Sequence, residues 1–244
     1  MNMKMKTLSI AVLGLAGIAF AGSASAACVP GNLSAWSSTS AIGGTLTVAT
    51  GGLEPSSPSE CRLDAAVTGS LGLNVSVRDD TPAAEVRYRA QFLVDPSLLT
   101  SQNLAQGFKV FGATTLTAAN GVSDLVRLTV VGNVTGTAKT LGIFTACAGQ
   151  PGNVCSASLP LAAGVNRIEI DWVKGAAGTL KVWVNNTNEA TPTTTLNGNS
   201  SSWTGVDFAS LGVIGASPVF RSAQVNKAVK LDKFDSRRQT FIGG

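Results

Sequence analysis

A chain of 244 residues with a formal charge of only +4 and 13% charged side chains is too weakly basic to point to nucleic acid or an anionic lipid surface. It contains no histidine, which excludes Ser-His-Asp and Cys-His catalysis, His-ligated zinc and a His-based pH switch. Any chemistry has to come from carboxylates, lysine, tyrosine or a bound metal.

Residues 1 to 26 read as a secretory signal: Lys4 and Lys6 form the basic start, Leu8 to Phe20 the apolar run, and Ala24-Ser25-Ala26 the small-residue cleavage site. Cleavage there starts the mature chain at Ala27, outside the cytoplasm, secreted or periplasmic, and takes the formal charge from +4 to +2. No later stretch approaches the roughly 18 apolar residues of a membrane helix, so no membrane insertion is expected. Residues 27 to 244 suit one domain, and a chain of this length can bury roughly 70% of its unfolded surface in a single core.

The four cysteines, Cys28, Cys61, Cys147 and Cys155, all survive cleavage into an oxidising compartment, where an even count implies disulfides. Of the three pairings available, Cys28 with Cys61 and Cys147 with Cys155 is preferred, because Gln150-Pro151-Gly152-Asn153 supplies a turn inside the second loop. Neither pair has zinc-ligand spacing.

Strand signals then recur along the chain. Thr45 to Thr50 alternates ahead of the loop Gly51 to Ser59, in an edge region stapled by Cys28 and Cys61. Leu71 to Val77 alternates strictly and ends at the turn Asp79-Asp80-Thr81-Pro82. From Glu85 to Val94, one side holds Val86, Tyr88, Ala90, Phe92 and Val94 and belongs in the core; the other holds Glu85, Arg87, Arg89 and Gln91. Asp95 and Pro96 suit a single helical turn, and no longer helix is supported. Further strands are predicted at Phe108 to Thr117, Asp124 to Val131, Ala138 to Ala146, Val206 to Ile214 and Ala228 to Phe241, with turn residues between them.

The clearest unit is Arg167 to Val173 and Thr179 to Val184 around Lys174-Gly175-Ala176-Ala177-Gly178, a β-hairpin. Pairing Val173 with Thr179 puts Ile168, Ile170 and Trp172 opposite Val184, Val182 and Leu180 on a face that must be buried. Arg167, Glu169, Asp171, Lys181 and Trp183 share the other face. The whole pattern predicts an all-β protein, an antiparallel two-sheet jelly-roll sandwich. A closed outer-membrane barrel would also alternate, but it wants two aromatic girdles, and the aromatic residues here are scattered.

Three stretches, Arg78 to Pro96, the hairpin, and Phe234 to Gly243, resemble secreted bacterial domains of the concanavalin A-like, laminin-G-like jelly-roll group. The resemblance implies fold and secretion more than activity. Laminarinase-like glucanases of the same broad fold carry Glu-x-Asp-x-(x)-Glu on one strand, two of these acids acting as nucleophile and acid/base. This chain offers Glu169 and Asp171 but has Val173 or Lys174 where the third acid would stand.

The site expected from these residues is therefore a non-catalytic carbohydrate-binding face on the hairpin. Trp183 would stack on a sugar ring while Glu169, Asp171 and Lys181 make polar contacts, unless a loop or neighbouring strand covers the indole. Trp203, in a polar loop, and Trp36 are further aromatic candidates; Trp172 is assigned to the core. A structural or adhesive surface protein is the second reading and a glycoside hydrolase the third. No cofactor is required. Asp79 and Asp80 have the hard oxygens that calcium takes, although a solvated turn explains them better. Lys227, Lys230, Lys233, Arg237 and Arg238, interleaved with Asp232 and Asp235, read as a charged strand face rather than an anion site.

Overall fold

The computed structural model describes residues 28–55, 60–69, 74–100, 107–118, 121–132, 138–147 and 154–243; the signal segment and the Gln150 to Asn153 turn lie outside them. The chain forms an antiparallel two-sheet jelly-roll sandwich with fourteen strands and one short helix among the described residues.

In chain order the strands are β1 (Ser38–Ile42), β2 (Gly44–Thr50), β3 (Cys61–Val67), β4 (Asn74–Asp79), β5 (Arg87–Asp95), β6 (Phe108–Ala118) and β7 (Gly121–Gly132). They continue with β8 (Lys139–Ala146), β9 (Val154–Leu161), β10 (Asn166–Val173), β11 (Gly178–Val184), β12 (Thr194–Gly198), β13 (Phe208–Ile214) and β14 (Ala228–Arg237), the helix α1 (Pro218–Ala223) preceding the last. The first sheet runs β1-β4-β13-β6-β7-β8-β9 and the second β12-β11-β10-β5-β14-β3-β2. Each predicted strand with described residues is present, and the hairpin has the predicted register, Val173 opposite Thr179 and Trp172 opposite Leu180.

Period-two alternation fills the space between the sheets. Tyr88, Ala90, Phe92 and Val94 of β5, Ile168, Ile170 and Trp172 of β10, and Leu180 and Val182 of β11 meet Val110, Phe111, Leu128, Val130, Leu141 and Ile143 of the first sheet in one core. Phe92 and Phe111 stack across it with ring centroids 5.5 Å apart. Val86, read from the pattern as a core residue, is 59% exposed, because β5 begins only at Arg87. Both preferred disulfides are formed. Cys28 and Cys61 tie the N-terminal segment to the β2–β3 edge of the second sheet; Cys147 and Cys155 tie β8 to β9 at the edge of the first.

Strands β1, β3, β9 and β12 escape the sequence pattern. Three of these are sheet edges, where one row of backbone groups needs no partner and polar or proline residues are tolerated: β9 carries Ser156, Ser158 and Pro160. Helix α1 is also unpredicted, although Ser217 caps it by accepting from the Phe220 N–H at 3.2 Å and Pro218 occupies its first turn. At Asp95 the chain makes a hydrogen-bonded turn rather than the expected helical one: Asp95 Oδ1 accepts from the Ser97 N–H at 2.9 Å and the Leu99 N–H donates to the Pro96 carbonyl.

Candidate functional site

The outer face of the second sheet gathers the hairpin residues singled out in the sequence and adds others from β5. Register places Glu169 between Gln91 and Trp183, and Asp171 between Arg89 and Lys181. Six side chains from three adjacent strands therefore share one patch, with Arg87 and Arg167 at its ends.

This patch is not open. Beyond Arg237 the chain leaves β14, and its last described residues lie across the sheet. The Glu169 carboxylate accepts the N–H of Ile242 at 2.9 Å and of Gly243 at 3.0 Å, one oxygen each. Arg167 Nη1 donates to the Gly243 carbonyl at 3.0 Å, while its Nη2 pairs with Glu54. The Phe241 ring packs on Trp183 at 5.3 Å between centroids. Trp183 is 1% exposed, with its Nε1 donating to the Asn188 carbonyl at 3.0 Å. The indole is thus covered by a terminal segment, the alternative weighed against a stacking platform. Trp203 is not on this face. It is buried in the apolar core, because the loop that carries it folds inward after β12. Trp36 is half-buried against Phe234, with ring centroids 5.0 Å apart.

Beneath Phe241 lies a charged network. Arg87 grips Asp171 with two parallel hydrogen bonds, Nε to Oδ1 at 2.9 Å and Nη2 to Oδ2 at 2.7 Å. Arg89 Nη2 donates to Asp171 Oδ2 at 2.8 Å and to Glu189 Oε1 at 2.8 Å. Asp171 therefore takes its partners from β5, not from Lys181 across the hairpin as the alternation suggested, since a guanidinium fork matches a carboxylate where a single ammonium does not. Burial opposes the Asp171 charge, but the hydrogen bonds and charges of Arg87 and Arg89 outweigh it and hold its carboxyl below the ordinary value. Glu169, two residues away on the same face, goes the other way: burial pushes it up, and the Ile242 and Gly243 N–H bonds offset this only in part.

Arg89 is 2% exposed, yet its Nε and Nη1 have no hydrogen-bond partner, and neither has Gln91 Oε1 beside it. Its guanidinium carbon sits 5.8 Å from the Trp183 ring and 5.6 Å from the Phe241 ring. A buried cation with two idle donors is a costly arrangement, and it marks where a further acceptor belongs. Sequence reasoning placed Arg87, Arg89 and Gln91 on the outward face but gave them no role. The signal available was their position on the strand neighbouring the hairpin.

The other predicted positions have local roles. Asp79 Oδ1 accepts the Thr81 N–H at 2.9 Å, closing the turn, and Asp80 pairs with Arg78. Among the described residues no group of three or more acidic or cysteine side chains could hold a metal ion. Of the C-terminal cations, Lys233 pairs with Glu60, Arg237 with Asp235 and Arg238 with Glu85.

No protein-family description matches the chain, and no curated protein is similar to it in sequence. Solved structures are similar to it in fold. An alginate lyase superposes with a TM-score of 0.52 at 14% identity, over 78% of this chain and 86% of its own. A double mutant of that lyase in complex with an alginate tetrasaccharide gives 0.54 at 13% identity, over 78% and 87%. An alginate lyase from Pseudomonas aeruginosa gives 0.50 at 12% identity, over 73% and 82%. At these identities the likeness is one of fold. It nonetheless corrects the expectation of a purely non-catalytic binding domain: the sandwiches it resembles in fold include alginate lyases, and the open hairpin face on which that expectation rested is closed by the chain's own Phe241 to Gly243.

Proposed function

We propose that the protein is a secreted carbohydrate-active enzyme, of the concanavalin A-like jelly-roll kind, that cleaves an acidic polysaccharide by β-elimination on the outer face of its second sheet. The observation that carries the reading is the buried Arg89 with two unpartnered donor nitrogens, flanked by carboxylates whose pKa values are pushed apart. The likeness of fold to alginate lyases supports it by analogy only.

Elimination from a uronate residue needs three things. The carboxylate must be neutralised so that the C5 proton becomes acidic, a base must take that proton, and an acid must protonate the departing O4. Arg89 supplies the first through its idle Nε and Nη1, with Gln91 beside it. Glu169, displaced upward and therefore a better base than an ordinary carboxylate, takes the proton. Lys181, on the neighbouring strand and on the same face, donates to O4. The C5–H and C4–O4 bonds break, a C4–C5 double bond forms, and the two side chains recover their protonation states from solvent. Asp171 stays ionised and locks Arg87 and Arg89 in place. With Asp171 committed to two arginines and Glu189 paired with Arg89, the described residues of the face offer no second unpaired carboxyl of the kind a glycoside hydrolase needs.

Turnover requires that Phe241 to Gly243 lift, after which Trp183 forms the floor for the sugar ring. The test is absorbance near 235 nm, where the unsaturated product absorbs, with polyuronates as substrates. A chain ending at Arg238 should act faster than the full chain, Glu169→Gln should lose at least a hundredfold in rate, and Trp183→Ala should raise KM. Absence of an absorbance rise with every polyuronate tried, for the full and the shortened chain alike, would overturn the proposal.

A further inference from the structure

The first sheet also presents an outer face, and part of it is open. Strands β6, β7 and β8 there carry Lys109, Asp124, Arg127, Thr129 and Phe144 around a cleft of about 490 Å³, bounded on one side by Ile214 and Gly215 after β13. That volume suits one or two sugar rings.

Glycines make the cleft. Register sets Arg127 between Gly112 and Phe144, and Thr129 beside Gly142. A Cβ on Gly142 would sit 2.5 Å from Thr129 Oγ1 and 3.2 Å from the Phe144 ring; one on Gly112 would sit 3.2 Å from Asp124 Oδ1 and 3.3 Å from Lys109 Nζ. Without those Cβ atoms the long side chains lie flat on the sheet and leave a hollow above it. Arg127 rests over the Phe144 ring, its guanidinium carbon 4.4 Å from the centroid, so stacking fixes the plane of its fork. Its Nε is buried and has no hydrogen-bond partner, and among the described residues no ion pair engages it. Lys109 Nζ lies 3.1 and 3.0 Å from the two Asp124 oxygens, and Thr114 Oγ1 donates to Asp124 Oδ1 at 3.0 Å. Asp124 is thereby spent on Lys109 and Thr114. Among the described residues, the cleft is left with Arg127 as a cation that no ion pair compensates.

We infer that this cleft is a second carbohydrate site, which holds one uronate residue of an acidic polysaccharide through its carboxylate on Arg127, with Lys109 and Thr129 reaching the neighbouring hydroxyls. The inference shares the substrate class of the proposed function but not its residues. Such a site would keep a long polymer on the protein while the opposite face acts.

The experiment is calorimetric titration of Glu169→Gln, in which the proposed reaction is blocked, with a tetrauronate and with a neutral tetrasaccharide of the same length. Arg127→Gln and Lys109→Met should each weaken tetrauronate binding by at least tenfold in that background, with no measurable binding of the neutral sugar and, for Arg127→Gln, which breaks no ion pair among the described residues, an unchanged melting temperature. In the otherwise unaltered chain they should leave turnover of short oligouronates unchanged while raising KM for the long polymer. Equal affinity with and without Arg127, or equal binding of the neutral sugar, overturns the inference. Failure of the 235 nm assay with the tetrauronate still held by Arg127 would instead count against the proposed function alone.

Discussion

Asp171 shows how far neighbours can shift what one residue does. It accepts three hydrogen bonds from two arginines, so its replacement strips Arg87 of its ion-pair partner and leaves the buried Arg89 with only the exposed Glu189. Asp171→Asn should cost about 3 kcal/mol in chemical denaturation, the lower end of the range for broken buried pairs because Arg87 is partly exposed. The pH dependence follows from the same contacts. Because its folded value is lowered from 3.8, Asp171 contributes stability above about that pH and loses it as pH falls through the lowered value. Glu169 has the opposite sign: its folded value is raised from 4.5, so its contribution is present below that pH and is lost as pH rises through the raised value. Denaturation midpoints measured from pH 2 to 7 should therefore show a shallower acid limb in Asp171→Asn, and a smaller fall above pH 4.5 in Glu169→Gln. In the core, Trp172→Ala should cost about 3 to 5 kcal/mol, since a buried indole leaves a cavity its neighbours cannot fill. Trp172 was legible as core from alternation alone. The burial of Trp183 was not, because alternation tells which way a side chain points and not what lies above it.

The hairpin was the most legible element, since both strands alternate cleanly and the connector fixes the register. Strand β13 was legible too, but not its irregularity: Gly212 has φ +151°, and a Cβ there would meet the Val75 carbonyl oxygen at 2.2 Å, where β13 shifts register against β6 between Leu211 and Ile214. Gly212→Ala should cost about 1 to 3 kcal/mol from backbone strain alone, checked by thermal denaturation alongside a control at Gly69, whose φ is not positive and where an added Cβ would meet its nearest atom at 4.0 Å. The Cys28–Cys61 staple closes a 33-residue separation and should contribute about 3.8 kcal/mol by chain entropy, against about 2.6 kcal/mol for Cys147–Cys155. Paired Cys→Ser variants would check the order. Hydrogen exchange in β2 and β3 should rise most when the first is removed, because those strands end the second sheet. The predicted final strand to Phe241 instead ends at Arg237. Nothing in the sequence of Gln239 to Gly243 announces that it crosses the sheet, since its partners, Trp183, Glu169 and Arg167, lie 58, 73 and 76 residues earlier.

At the scale of the molecule, each sheet is assembled from strands distant in sequence: β5 pairs with β14 and β10, and β1 and β13 flank β4. Such pairings close long loops before they gain contacts, so refolding with disulfides intact should take milliseconds to seconds in stopped-flow fluorescence, with no microsecond phase accounting for the native signal. Composition and alternation by themselves determined an all-β chain, most of its central strands, its hairpin register and the absence of histidine chemistry, and left the disulfide pairing as a preference among three, because the former depend on residue identity and on spacing along one strand. Tertiary structure alone decided which strands became neighbours, and with them the functional faces. Arg89 meets Asp171 because β5 lies beside β10; Arg127 lies on Phe144 because β8 sets that ring beside it while Gly112 of β6 leaves its other side open; and the hairpin face is closed because Phe241 to Gly243, distant in sequence, dock on it. Contacts of that kind depend on how the sheet is ordered, which period-two patterning leaves open, since every strand with the same alternation fits equally well beside any other.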